Sequence, residues 1–243
     1  MEKLQNKVAI ITGGAAGMGE AHVRLFIKEG AKVVLTDVNT EKGQALADEL
    51  GESAHFIQHD VTDEAGWEKV VHQTEEKFGP VNILVNNAGI SPVLSVENSS
   101  LEDYMNVVQI NQVSVFLGMK YVVPSMKKVD DGSIINISSI NGLTGGAIGY
   151  TDTKFAVRGM TKAAAKELAH YNIRVNSVHP GVINTHMVQQ SAAFEQIQAM
   201  VKTIPLKRMS EPSEISQLVL FLASDDSSYS TGAEFIADGG ITA

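Results

Sequence analysis

The chain has 243 residues, of which 44% are hydrophobic and 19% are charged. This length and composition suit a single domain spanning residues 1–243 and exclude a disordered chain. The net charge of −9 argues against a nucleic-acid-binding surface, and the absence of cysteine excludes disulfides and thiolate metal sites.

Short apolar runs alternate along the chain with longer amphipathic patterns, as in repeated βαβ units. Strands are predicted near residues 7–12, 32–36, 54–59, 81–86, 132–138, 173–178 and 234–237. Helices are predicted near residues 17–29, 41–50, 64–78, 100–128 in one or two pieces, 149–170 and 212–223. We therefore expect an α/β protein with a doubly wound Rossmann fold, in which a single parallel sheet of about seven strands carries helices on both faces.

Residues 184–205 fit this alternation least well, because a helical pattern there is not followed by a strong strand. We predict that this segment is a substrate lid. No apolar run reaches the roughly 18 residues of a membrane span, so we expect a soluble, cytoplasmic protein with no membrane partner.

The first predicted strand runs into a turn that contains Gly13, Gly17 and Gly19, and a predicted helix follows. Glycines at such a turn let the backbone approach a pyrophosphate, and the helix N-terminus favours its negative charge. The spacing differs from G-x-G-x-x-G, and the alternative is a tight turn with close helix packing only.

The second predicted strand ends at Asp37, about 20 residues beyond the glycine turn, where a carboxylate can bind the adenosine ribose of a dinucleotide. A carboxylate there repels a 2′-phosphate, and neither Ala16 nor Val38 supplies a compensating cation. The sequence therefore favours NAD(H) over NADP(H). The alternative is an Asp that only forms a turn before Asn39.

Tyr150 and Lys154 share one face of a predicted helix because they are four residues apart. An adjacent ammonium lowers the pKa of a phenol by about 1 to 3 units, which favours acid–base chemistry near neutral pH. The alternative is an exposed surface pair. Ser138 and Ser139 end the fifth predicted strand, at the sheet edge where ligands bind in α/β proteins.

Further motifs follow one another in a fixed order along the chain. They are Thr12-Gly-Gly-Ala-Ala-Gly-Met-Gly19, Asp60-Val61, Asn86-Asn-Ala-Gly89, Asn111, Ser138-Ser139, Tyr150-x-x-x-Lys154 and Pro180-Gly181. Each motif alone is weak, but the ordered set resembles the short-chain dehydrogenase/reductase family over essentially the whole chain.

The resemblance, together with the glycine turn and Asp37, implies a set of residues that bind NAD(H). They are Gly13, Ala16, Gly17, Met18, Gly19, Asp37, Val38, Asp60, Val61, Asn87, Ala88, Gly89, Tyr150, Lys154, Pro180, Gly181, Val182, Ile183 and Thr185. In this scheme residues 60–61 and 87–89 contact the adenosine, and residues 180–185 contact the nicotinamide.

The resemblance also implies that Asn111, Ser139, Tyr150 and Lys154 are catalytic. Tyr150 would exchange a proton with the substrate, Lys154 would lower its pKa and bind the nicotinamide ribose, and Ser139 would hold the substrate oxygen. Asn111 would hold a relay water; without the resemblance, it reads as a helix kink or a solvent-facing amide. Ser138 remains the rival of Ser139, because ten or eleven residues separate these serines from Tyr150, fewer than is usual in the family.

These observations predict an NAD(H)-dependent oxidoreductase that acts on a secondary alcohol or ketone. Apolar residues in segments expected near the nicotinamide suggest an apolar substrate, or else are part of the core: Ile90, Val93, Leu94, Leu143, Ile148, Val182 and Met187. His55 and His59 share a strand face, but no third ligand accompanies them, and no metal is expected. The family implies a homotetramer built partly through the helices that contain Asn111 and Tyr150.

Two other functions stay open. A 3-oxoacyl reductase of the same family would favour NADPH and a basic surface, whereas this chain has Asp37 and few basic residues. A non-catalytic dinucleotide sensor would not need Ser139, Tyr150 and Lys154.

Overall fold

The computed structural model describes residues 2–190 and 193–243. Its strands are β1 (Val8–Thr12), β2 (Lys32–Asp37), β3 (Ala54–Gln58), β4 (Ile83–Asn86), β5 (Gly132–Ile137), β6 (Ile173–Pro180) and β7 (Glu234–Ala237). All neighbouring strands are parallel, in the order β3-β2-β1-β4-β5-β6-β7. The predicted seven-stranded Rossmann-like sheet is therefore confirmed.

The helices flank this sheet. They are α1 (Gly17–Lys28), α2 (Thr40–Leu50), α3 (Glu64–Phe78), α4 (Leu101–Val108), α5 (Ser114–Met126), α6 (Tyr150–Leu168), α7 (His186–Gln189), α8 (Phe194–Val201) and α9 (Pro212–Ala223). No helix in the described ranges combines the length and apolarity that crossing a bilayer requires.

Each face of the sheet carries its own apolar core, as expected for a parallel sheet covered on both sides. On one face, Ala9 and Ile11 of β1 pack with Phe26 of α1 and Val219 of α9. On the other face, Ile10 belongs to the core formed by α3, α5 and α6. Alternate residues of one strand therefore support opposite layers.

Several predicted segments differ from the structure by one or two residues at their ends, such as β4, which begins at Ile83 rather than near residue 81. Two further differences have a visible structural reason. The helix predicted over residues 100–128 is interrupted by a π-helical turn, Gln109–Val113, which separates α4 from α5. β6 extends two residues beyond its predicted end because β7 pairs with it as far as Pro180.

The predicted lid contains α7 and α8. Residues 191 and 192 of this segment lie outside the described residues, as does the side chain of Met187, which was predicted to line the pocket.

The carboxyl ends of all seven strands point to the same edge of the sheet. The chain runs outward from β1 through β2 to β3, and then crosses to the other side of β1 to form β4. Ligands of open α/β sheets bind at such a switch point, between β1 and β4 here. The topology therefore places the site before any side chain is considered.

α1 packs against α9 through a buried imidazole. His22 is fully buried, and its Nδ1 lies 2.8 Å from Ser216 Oγ. The Ser216 hydroxyl donates to the Pro212 carbonyl at 3.0 Å and therefore accepts from the ring. Burial lowers the pKa of His22 to about 3, so the folded protein keeps this ring neutral.

This imidazole makes stability depend on pH. Between pH 6.5 and about 3 the unfolded chain binds one more proton at His22 than the folded chain, so stability falls as the pH falls, by up to about 1.4 kcal/mol per pH unit. We predict that His22→Gln removes this contribution. The unfolding free energy in urea, measured from pH 7 to pH 5, should fall by about 2 kcal/mol less in His22→Gln than in the wild type. Parallel pH profiles of the two proteins would contradict the prediction.

Candidate active site

A cleft of about 380 Å³ lies at the carboxyl edge of β1, β2, β3 and β4. Twelve of the residues predicted to bind the coenzyme line it: Gly13, Ala16, Gly17, Met18, Asp37, Val38, Asp60, Val61, Asn87, Ala88, Gly89 and Thr185. Four more lining residues were not predicted to bind it: His59, Ile90, Ile110 and His186. The sequence signal for all four is their place next to a predicted site residue.

The glycine turn needs its glycines for backbone reasons. Gly13 and Gly17 adopt φ values of +62° and +60°, which residues with a side chain rarely adopt. Gly19 was predicted to bind the coenzyme but does not line the cleft. A Cβ there would overlap the Gly13 carbonyl oxygen. Gly19 therefore allows close packing of the turn on α1.

Thr12 and Asn87 hold the glycine turn against the end of β4. Thr12 Oγ1 accepts hydrogen bonds from the backbone N–H groups of Asn87 and Ala88, both at 3.0 Å. The Asn87 amide donates to the carbonyls of Thr12 at 2.9 Å and of Gly13 at 3.2 Å. Asn87 Oδ1 is buried beside the cleft without a hydrogen-bond partner among the described residues.

Asp37 serves both the turn and the cleft. Its carboxylate accepts from the backbone N–H groups of Ala15 at 3.1 Å and of Asn39 at 2.9 Å. The turn-forming role is therefore present, and it leaves Asp37 on the cleft wall. None of the described residues that line the cleft is a Lys or an Arg.

None of residues 180–183 lines this cleft, and neither do Tyr150 and Lys154, so the coenzyme contacts expected of them stay predictions. Val182 and Ile183 are buried, and Val182 lines a separate cavity of about 160 Å³ with Ile204 and Ile215. The segment is pinned because Ser210 N donates to the Val182 carbonyl at 3.0 Å. Thr185 reaches the glycine turn, where its Cγ2 lies 3.5 Å from the Cβ position of Gly17.

Lys154 is buried beneath Tyr150 on the same face of α6. Its side chain is 4% exposed, and Nζ donates to the Ile137 carbonyl at 2.9 Å. The ammonium lies 5.5 Å from the centroid of the Tyr150 ring. Burial lowers the pKa of Lys154 to about 8. The alternative of an exposed surface pair is therefore wrong.

The expected lowering of the Tyr150 pKa is not found in this arrangement. Burial raises the pKa of the phenol, and a hydrogen bond with the Ser139 hydroxyl opposes that rise. The expectation fails because the Lys154 ammonium bonds the Ile137 carbonyl rather than the phenol oxygen, so loss of hydration dominates.

The two adjacent serines have different surroundings. The buried Ser138 hydroxyl donates to the Lys154 carbonyl at 2.9 Å and ties β5 to α6. The Ser139 oxygen accepts from Asn141 N at 3.1 Å, and its hydroxyl interacts with Tyr150. Of the two, Ser139 faces the phenol.

Asn111 lies in the π turn and is fully buried. Its side chain accepts from Ile90 N and donates to the Ile90 carbonyl, both at 2.8 Å. This contact holds the segment that contains Gly89 close to Lys154. A Cβ built on Gly89 would lie 3.6 Å from Lys154 Nζ. The amide is thus buried, so the alternative of a solvent-facing amide is wrong, and the relay role of Asn111 stays a prediction.

Arg158, one helical turn after Lys154, was not among the predicted site residues. It donates to the Gly142 carbonyl at 2.7 Å and to Glu234 at 2.9 Å, which ties the turn after Ser139 to β7. Its i, i+4 spacing from Lys154 was the available signal. No group of three or more metal-binding side chains occurs in the described part of the chain.

Comparison with known proteins agrees with this geometry. Residues 13–242 match the family model described as enoyl-(acyl carrier protein) reductase. A 3-alpha-(or 20-beta)-hydroxysteroid dehydrogenase of Mycobacterium tuberculosis is 47% identical over 99% of this chain and 91% of its own length. An NADP-dependent (R)-specific alcohol dehydrogenase of Lentilactobacillus kefiri is 43% identical over 100% and 99%, and a cyclopentanol dehydrogenase of Comamonas testosteroni is 45% identical over 100% of both chains. The chain belongs to the short-chain dehydrogenase/reductase family of nicotinamide-dependent oxidoreductases.

Proposed function

We propose that the chain is an NAD(H)-dependent oxidoreductase that transfers a hydride between the nicotinamide and an uncharged secondary alcohol or ketone. The observation that carries the proposal is the meeting of three groups at the end of β5. The buried Lys154 ammonium, the Tyr150 phenol and the Ser139 hydroxyl lie together there.

The cleft residues fit a dinucleotide. Asn87 Oδ1 is a buried acceptor that needs a donor, and a ribose hydroxyl would supply one. Because the glycines of the turn have no side chains, a pyrophosphate can approach the backbone at the N-terminus of α1. We assign residues 37–38, 60–61 and 87–89 to the adenosine half and Thr185 to the nicotinamide half.

The charges in the cleft support NAD(H) over NADP(H). Asp37 and Asp60 are the acidic groups on its wall, and no described Lys or Arg lines it to neutralise a 2′-phosphate. The Lentilactobacillus kefiri relative is NADP-dependent by its name. Coenzyme preference therefore follows from these residues and not from the family.

The chain's own groups handle the proton. The raised pKa of Tyr150 keeps the phenol protonated at neutral pH, as a proton donor to a ketone requires. In the oxidative direction the Lys154 ammonium, largely charged at pH 7 because its pKa is about 8, would stabilise the phenolate. Ser139 would hold the substrate oxygen by a hydrogen bond. The bound nicotinamide supplies the hydride chemistry at C4.

The segments that flank the phenol support an uncharged, apolar substrate. Residues 87–96 and 139–149 contain no charged side chain. Ile90 lines the cleft, Val93 is 69% exposed, and Leu94 packs against Gly149, which precedes the phenol. Two relatives are named for a hydroxysteroid and for cyclopentanol. Both substrates carry an alcohol on a skeleton that consists largely of hydrocarbon rings, which fits such a lining. The cytoplasmic location stays a prediction from sequence.

Replacing the phenol tests the proposed chemistry. We predict that Tyr150→Phe lowers turnover by about 10²- to 10⁴-fold, because a general acid–base group is lost, while NADH affinity is unchanged. Turnover is measured by NADH absorbance on a panel of ketones and alcohols, and binding by fluorescence. Tyr171→Phe, which changes a phenol at the opposite end of α6, should keep full turnover. Unchanged turnover in Tyr150→Phe would remove the phenol from the mechanism and favour the non-catalytic sensor.

The coenzyme assignment is tested at Asp37. We predict a higher kcat/KM with NADH than with NADPH in the wild type, and that Asp37→Asn raises kcat/KM for NADPH by about tenfold, equivalent to about 1.4 kcal/mol of relieved repulsion. Asp48→Asn makes the same change in net charge on the exposed surface of α2 and should not alter the preference. A wild type that prefers NADPH would contradict the role of Asp37 and favour the 3-oxoacyl reductase.

We propose that the protein is a homotetramer. Phe116 on α5 and Phe155 on α6 are 52% and 42% exposed, and exposed aromatic side chains of this size are typical of protein–protein contacts. Light scattering should return about four times the chain mass of 26.0 kDa, and Phe116→Glu should lower it. A wild-type mass near 26.0 kDa would refute the tetramer.

A further inference from the structure

A buried histidine connects the sheet to the serine turn. His179 is fully buried in β6, one residue before Pro180. Its Nε2 lies 2.9 Å from Ser177 Oγ, and its Nδ1 lies 3.0 Å from the Ser139 carbonyl oxygen. A carbonyl oxygen only accepts, so Nδ1 carries the proton and Nε2 accepts from the Ser177 hydroxyl. The two contacts together fix one neutral tautomer.

The electrostatic surroundings agree with a neutral ring. Burial is the largest influence on the pKa of His179 and lowers it. Arg158 and Lys154 lower the pKa further, whereas Glu234 and the bond to Ser139 oppose them. The imidazole therefore stays a fixed hydrogen-bond donor at neutral pH.

The Ser139 carbonyl oxygen accepts two hydrogen bonds, one from His179 and one from Gly142, and the two constrain different parts of the structure. The Ser139 carbonyl also accepts from Gly142 N at 2.9 Å, which closes the short turn Ile140–Gly142. That bond is local and moves with the turn. The bond from His179 ties the same carbonyl to β6, and it therefore fixes the turn relative to the sheet.

We propose that His179 is a positioning residue: by donating from Nδ1 to the Ser139 carbonyl, it holds the Ser139 hydroxyl against the Tyr150 phenol. This inference rests on the proposed function. His179 does not line the coenzyme cleft, so it acts through Ser139. Displacement of a reacting group by about 1 Å is enough to lower turnover strongly.

Two amide substitutions separate the two ring contacts. The amide nitrogen of Asn can occupy roughly the place of Nδ1, whereas the longer Gln side chain carries its nitrogen to roughly the place of Nε2. His179→Asn therefore keeps the donor to Ser139, and His179→Gln keeps only the contact with Ser177. Both variants replace the buried ring by an amide, so they differ mainly in which contact survives.

We expect His179→Asn to keep kcat within about threefold of the wild type and His179→Gln to lower kcat by about tenfold or more. The KM for NADH and its dissociation constant should not change in either variant. In a Ser139→Ala background, His179→Gln should lower kcat no further, because the group that it positions is absent. Equal kcat values for the Asn and Gln variants, or a full additional loss in the Ser139→Ala background, would overturn the proposal.

A matched control is available between α1 and α9. His22 is also a buried imidazole bonded through Nδ1, to Ser216 between α1 and α9. His22→Gln at pH 7.5 should keep the wild-type kcat, whatever it costs in thermal stability. A drop in kcat equal to that of His179→Gln would show a general effect of removing a buried ring and would overturn the proposal.

A measurement on the wild type does not depend on whether the variants fold. Long-range ¹H–¹⁵N NMR of the imidazoles should show His179 protonated at Nδ1 and bare at Nε2. The opposite tautomer cannot donate to Ser139 and would overturn the proposal. A wild type that binds NADH but turns over no alcohol or ketone would instead refute the proposed function, so the two failures are distinguishable.

Discussion

The site depends on one buried charge. The Lys154 ammonium is almost completely removed from water. Within the described part of the chain, burial alone shifts its pKa, and no carboxylate lies near enough to oppose that shift. A buried ammonium must find hydrogen-bond acceptors, and the carbonyl of Ile137 at the end of β5 is one. This bond fixes α6 against the sheet. Tyr150, one helical turn earlier, is thereby placed beside Ser139.

Several neighbours hold the backbone around this ammonium. Asn111 ties the segment after β4 to the π turn through both hydrogen bonds of its amide with Ile90, and this brings Gly89 towards Lys154. On the other side, the Ser138 hydroxyl bonds the Lys154 carbonyl. The buried polar groups are thus paired mainly with main-chain atoms, and these contacts fix loops that the strand ladders do not reach.

Much of the fold could be predicted because its signals are local. Buried strands of a parallel sheet read as continuous apolar runs, and the turn at Gly13 and Gly17 needs glycine for its backbone angles. Most of the residues that line the cleft follow from the same logic, because they lie at or soon after the carboxyl ends of β1 to β4, which share one edge of the sheet. Tyr150 and Lys154 were accessible through helical spacing.

The remaining features depend on contacts between segments distant in sequence. Nothing near Val182 and Ile183 reveals that both are buried and that Ser210 N bonds the Val182 carbonyl. The side chain of Asn111 in the π turn bonds Ile90, 21 residues earlier in the chain. The raised pKa of Tyr150 follows from burial, which spacing alone does not report. Local patterns therefore identify which residues gather at the site, whereas tertiary packing decides their protonation and orientation.

The most direct test of this account is the pKa of Lys154 itself. Protein labelled with ¹³C and ¹⁵N in its lysine side chains can be titrated by NMR, and the signal that is missing in Lys154→Arg identifies the residue. We predict a midpoint near pH 8, separate from the exposed lysines. A midpoint near the ordinary value of 10.5 would show an ammonium in contact with water or with an acidic partner, and would contradict a site that depends on a buried, uncompensated charge.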